Sequence, residues 1–370
     1  AHDAAGAGAE TGGSVTVQDS RITTTGNYSD GVSVSGADAV VTLRNTEVNA
    51  ANGMGARVGG GRFEMDGGSL TAGGSAVMLS SGSGAPSAAT IRNATLTATG
   101  SYSYGIDINA KDTSAEIENV SISALGLSGT GVWLPSTGTR FSATGFDITS
   151  ALLGVDNRAG QVTLLDGRIK TRDASGHGLY LSREYGSSAT IKATRVTIDT
   201  VGNGAFGALA RMGGAAIELE DVTINTLGDS AHGLFASGSG VSLSARNSQV
   251  NTRGANANGL AVSNRAAVTL DNTGFAVTGA SANGIWSYLT SAGLSNTVTL
   301  RNGSRIDTQD GAGLLASGGG HTFLISDSDI TARAGGDIDS GVLLHSRAVT
   351  VTNGGVTTVI ESEQVTLDAS

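Results

Sequence analysis

The chain has 370 residues, 57 of them glycine, with two prolines, no cysteine, 4% aromatics and a formal charge of −10. Its acidic balance and the absence of a clustered run of Lys and Arg make nucleic acid and anionic membrane surfaces poor candidate partners. Without cysteine it excludes disulfides, thiolate metal sites and Cys nucleophiles, and no apolar run nears the roughly 20 residues that a membrane-spanning helix needs.

In chain order, residues 1–13, "AHDAAGAGAETGG", read as a small, flexible segment without the charged and apolar parts of an uncleaved export signal. From Ser14 onward one pattern recurs: an apolar residue, any residue, an apolar residue, any residue, then Asn or Asp. It runs through "VTVQD" (15–19), "VTLRN" (41–45), "ATIRN" (89–93), "AEIEN" (115–119), "VTLLD" (162–166), "IELED" (217–221) and "LSARN" (243–247), with looser copies to "TVTN" (350–353). An aliphatic follows three residues after most of these Asn/Asp positions, as at Ile22, Val48, Leu96, Ile122 and Ile224. A second anchor is Gly followed by alternating aliphatics: "GVSV" (31–34), "GIDI" (105–108), "GVWL" (131–134), "GLYL" (178–181), "GLFA" (233–236), "GLAV" (259–262), "GLLA" (313–316) and "GVLL" (341–344).

Successive anchors lie about 26 residues apart, and each unit holds three short runs of period-two alternation separated by Gly, Asn, Asp and Ser. Period two is the signature of strands, and a unit of three short strands buries its apolar edge only by stacking on the next. The reading is an all-β, single-stranded right-handed parallel β-helix, a solenoid over 14–370. It has about 14 rungs of three strands, roughly 65 Å long at the strand spacing of about 4.8 Å. The Asn/Asp/Gly column from Asp19 to Asn353 is a corner that demands left-handed backbone, with Ala193 as its one exception. Just before the corner, charges alternate along Arg44, Asp66, Arg92 and Glu118, and again along Lys192, Glu220, Arg246, Asp271 and Arg301. Such a ladder sets the register of outward side chains one strand apart.

Repeats such as "VTLRNTEVNA", "ATIRNATLTA" and "SGHGLYLS" resemble those of pertactin-like passenger domains of bacterial autotransporters (type V secretion), over nearly the whole chain. The resemblance implies export through the periplasm and transport across the outer membrane by the protein's own C-terminal barrel. Display on the cell surface or release as a virulence factor would follow. The barrel and its helical linker have no counterpart here, and "EQVTLDAS" at the end reads as the start of another rung, so truncation of a longer passenger is expected. No Arg-Gly-Asp is present.

Chemistry has few footholds. Asp327, Asp329, Asp337 and Asp339 are the best candidate for the acidic cluster of a carbohydrate-active β-helix, but Asp327 already belongs to the corner. Glu116 and Glu118 beside Arg92 read as a solvated ladder. In "IELEDVTINTLGDSAHGLFASG" (217–238), Glu218 and Glu220 alternate with inward Ile217 and Leu219, Asp221 is the corner, and His232 sits before the Gly anchor. That position elsewhere holds Asp30, Tyr104, His177, Asn258, Asn283 and Ser340, so it requires no imidazole chemistry. No catalytic, cofactor or metal set is therefore expected. One outward column stands apart: Trp133, Tyr180, Phe235 and Trp286, continued by Leu315 and Leu343. Outward aromatics of this kind mark interaction surfaces. The resulting expectation is a non-catalytic binder of a host protein or cell-surface receptor, an adhesin or a ligand of serum complement regulators. A carbohydrate-active lyase or hydrolase and a self-associating protein are the alternatives.

Overall fold

A computed structural model describes residues 5–81, 84–183, 189–288, 295–317, 321–333, 342–345, 349–353, 356–360 and 365–367. The chain divides into two compact units, one of Ala1–Thr171 with Glu184–Ile191, the other of Arg172–Arg183 with Lys192–Ser370. Among the described residues all regular structure is β, and each unit is a parallel β-solenoid of stacked turns.

In the first unit, one column of strands runs Ala7–Glu10, Val32–Ser35, Ala56–Gly59, Val77–Leu79, Tyr104–Ile108, Thr130–Leu134 and Val155–Asn157, each parallel to the next. Ala7–Glu10, which reads as part of a flexible lead-in, is thus a paired strand. A second column begins with Ser14–Gln18 and passes through the first halves of Val40–Ala50 and Gly61–Ala72 to Ser87–Arg92, Ser114–Glu118, Arg140–Ser150 and Gln161–Thr171. A third begins at Arg21–Thr24 and uses the second halves of those long strands, with Thr95–Ala98 and Ser121–Ala124 between them. Alternation does the packing: Val41, Leu43, Phe63, Ile91 and Ile117 point inward and are buried, while their neighbours face out.

The second unit repeats the plan. Its first column is Leu179–Ser182, Ala208–Arg211, Leu234–Ser237, Leu260–Ser263, Ile285–Tyr288, Leu314–Ser317 and Val342–His345. Its other columns follow Ala216–Glu220 to Val349–Asn353 and Thr223–Thr226 to Asp329–Ala332. The last two strands depart from the expected continuation. Val356–Ile360 turns back antiparallel on Val349–Asn353, and Val365–Leu367 is antiparallel to Val342–His345. Val365 therefore does not open a further parallel turn.

The corner column has the left-handed backbone that its residue types suit, with φ of 44° at Asn45, 54° at Asn119, 55° at Asp221 and 48° at Asn272. Corner amides also bond from turn to turn, Asn45 Nδ2 donating to Asp19 Oδ1 at 3.2 Å and Asn272 Nδ2 to Asn247 Oδ1 at 2.9 Å. Ala193 is not a corner. It is buried, and Arg195, with φ of 53°, turns the chain instead. Thr197 pairs with Thr223, so Lys192 falls opposite Glu218 rather than Glu220, a two-residue correction to the charge ladder. Elsewhere the ladder stands in register, Arg44 with Asp66, Asp66 with Arg92, and Arg92 with Glu118.

The Gly anchor is a packing requirement. A Cβ on Gly233 would lie 2.7 Å from the carbonyl oxygen of Gly259 and against Val250 Cγ1, so backbone passes where a side chain has no room.

Candidate binding face

Parallel, in-register turns place equivalent side chains about 5 Å apart, close enough for rings to stack face to face. Two columns use this. One is the outward position of the first strand column; the other is the position just before the Gly anchor.

In the first unit the outward column reads Arg57, Met78, Asp107, Trp133 and Asp156. Trp133 stacks on Tyr104 of the anchor column, with ring centroids 4.7 Å apart and planes 15° from parallel. Trp133 is therefore half-buried rather than freely exposed. Asp107 beneath it is only 4% exposed, and its Oδ1 has no hydrogen-bond partner. Burial pushes its carboxyl up to about 7. The Tyr104 hydroxyl is likewise raised, first by burial and then by the charges of Asp107 and Asp156. Asp156 is held by Arg158, whose Nε donates to Oδ1 at 2.6 Å and Nη2 to Oδ2 at 3.1 Å.

In the second unit the outward column is Tyr180, Leu209, Phe235, Ala261, Trp286 and Leu315. Beside it, the anchor column brings His177, Phe206 and His232 into one stack, with centroids 4.9 and 5.0 Å apart. Phe206 also stacks on Phe235 at 5.2 Å, His177 on Tyr180 at 5.7 Å, and Trp286 on Tyr288 at 4.2 Å. Tyr180, expected to be exposed, is 7% exposed: His177 covers one side and the Arg211 guanidinium lies 5.2 Å from its ring centre. Phe206, Phe235, Trp286 and Tyr288 are half-buried and form the accessible ring ledge.

The imidazoles are structural acceptors. His177 Nδ1 accepts the backbone N–H of Phe206 at 3.0 Å, and His232 Nδ1 accepts that of Asn258 at 3.0 Å. In the next turns Asn258 Oδ1 accepts the N–H of Asn283 at 2.7 Å, and Asn283 Oδ1 accepts that of Ala312 at 3.0 Å. A neutral imidazole accepting at Nδ1 carries its proton on Nε2. Burial holds His232 down to about 4, and burial with the Arg211 charge does the same for His177.

Reading the sequence for an outward column found Trp133, Tyr180, Phe235 and Trp286 but missed Phe206 and Tyr288. Phe206 precedes Gly207 in "GALA", an anchor too weak in aliphatics to stand out. Tyr288 lies two residues beyond Trp286 on the same face, a period-two signal that was there to be read. Of the continuing positions, Leu315 is opposite Trp286, whereas the side chain of Leu343 lies outside the described residues.

The acidic candidates separate. Asp327 is a corner residue with φ of 46°, Asp329 pairs with Arg305 at 3.2 Å, and Asp337 and Asp339 lie outside the described residues. Glu220 bonds to Arg246, and Glu118 to Arg92 at 3.1 Å. Among the described residues no group of three or more His, Asp or Glu side chains is placed to hold a metal ion. No family model matches the chain, and no curated protein matches it.

Proposed function

We propose that the chain is a non-catalytic passenger domain of the autotransporter kind, displayed on or released from the bacterial surface after export. It binds a host protein through the ring ledge of its second unit. The reading includes a right-handed winding of about 14 rungs, the hand that parallel crossovers take almost without exception. The observation that supports binding most directly is the row of half-buried stacked rings at Phe206, Phe235, Trp286 and Tyr288 in a chain with 4% aromatics. Rigid aromatic side chains lose little conformational freedom on contact and are enriched where binding energy concentrates. The test is capture of proteins from serum and epithelial lysate by the full chain, compared with a variant carrying Ser at those four positions. Equal capture by a folded variant refutes the ledge; clumping of cells that display the chain, without host protein, favours self-association instead.

A further inference from the structure

The anchor column of the second unit contains two kinds of acceptor doing one job. His177 and His232 use a ring nitrogen to hold the next turn's backbone N–H, while Asn258 and Asn283 use an amide oxygen. The two kinds differ in one chemical respect: an imidazole that takes a proton at Nδ1 becomes a donor there, and an amide oxygen does not. A protonated Nδ1 would point an N–H at the N–H of Phe206 or Asn258, and the turn could keep neither bond. Both rings also stack on Phe206, which lies between them, and each imidazole plane is held by that contact as well as by its own hydrogen bond.

From this geometry we infer that His177 and His232 form an acid-sensitive latch, which holds the turns behind the ring ledge together at neutral pH and releases them locally, at Phe206 and Asn258, on acidification. The groups facing the latch fit that direction. Tyr180 and the Arg211 cation face His177 from the strands Leu179–Ser182 and Ala208–Arg211. The uncharged rings of Phe206, Phe235 and Trp286 face His232. Burial leads the lowering of both histidines, and at His177 the Arg211 charge adds to it. The latch is independent of whether the ledge takes a partner.

Amide hydrogen exchange by NMR on the full chain, without any ligand, tests it. Between pH 7 and pH 4, after correction for intrinsic rates, protection of the Phe206 and Asn258 amides should fall at least tenfold. Asn283 and Ala312, held by amide oxygens in the same column, should keep theirs. His232→Asn should restore protection of Asn258 at pH 4, and His177→Asn that of Phe206. Full protection of Phe206 and Asn258 at pH 4, or a parallel loss at all four amides, overturns the inference. Should either variant fail to fold, the comparison of the four wild-type amides decides alone.

Discussion

His232 and Asp107 are both buried, yet acid acts on them with opposite sign. For His232 the folded state resists protonation until about 4 against an ordinary 6.5, so the unfolded chain binds the extra proton between those values. Its contribution to stability is complete above 6.5, falls as pH drops through that window, and is level below it. His177 behaves alike. For Asp107 the folded carboxyl holds its proton up to about 7 against an ordinary 3.8, so stability is lost as pH rises from 3.8 to 7. Asp107→Asn should therefore raise the melting temperature at pH 8, by the equivalent of about 1–3 kcal/mol, and change little at pH 3.5. A calorimetric pH series checks this; a loss of stability at pH 8 contradicts an unpartnered carboxylate.

At the scale of strands and corners, burial outweighs the charge ladder. Leu234 is fully buried in its strand, whereas the Glu220–Arg246 pair is partly exposed to water. Leu234→Asp should cost more than about 4 kcal/mol, and Glu220→Lys less than about 1 kcal/mol, measured by denaturant unfolding. Gly233→Ala should also lower stability by more than about 1 kcal/mol, because its Cβ meets backbone of the neighbouring turn. The elements that the sequence shows best are those whose demand is local. Period-two runs predict the strands, and Asn, Asp or Gly predicts the left-handed corner. Arg195 breaks that residue rule while obeying the geometry, and the charge alignment slipped by two residues at that turn.

For each whole unit, repetition at about 26 residues was enough to infer a stack of parallel turns, since no single turn buries its own apolar edge. The binding face was legible only in part. An outward column can be read from alternation, but exposure depends on neighbours in the adjacent turns. Tyr180 is covered by His177, 3 positions before it, and by Arg211 of the next turn. The role of the histidines was illegible for the same reason: their partners are backbone N–H groups one turn away. Large exposed apolar side chains also occur at a corner of the first unit, at Tyr102, Leu125 and Leu127, and provide a control for nonspecific hydrophobic contact. The most direct measurement is the affinity of the full chain for a host protein that it captures. It should be compared between Phe206→Ser/Phe235→Ser/Trp286→Ser/Tyr288→Ser and Tyr102→Ser/Leu125→Ser/Leu127→Ser. The ledge variant should lose at least a hundredfold in affinity, about 2.7 kcal/mol, and the corner variant should keep wild-type affinity. Wild-type affinity in a folded ledge variant would contradict it.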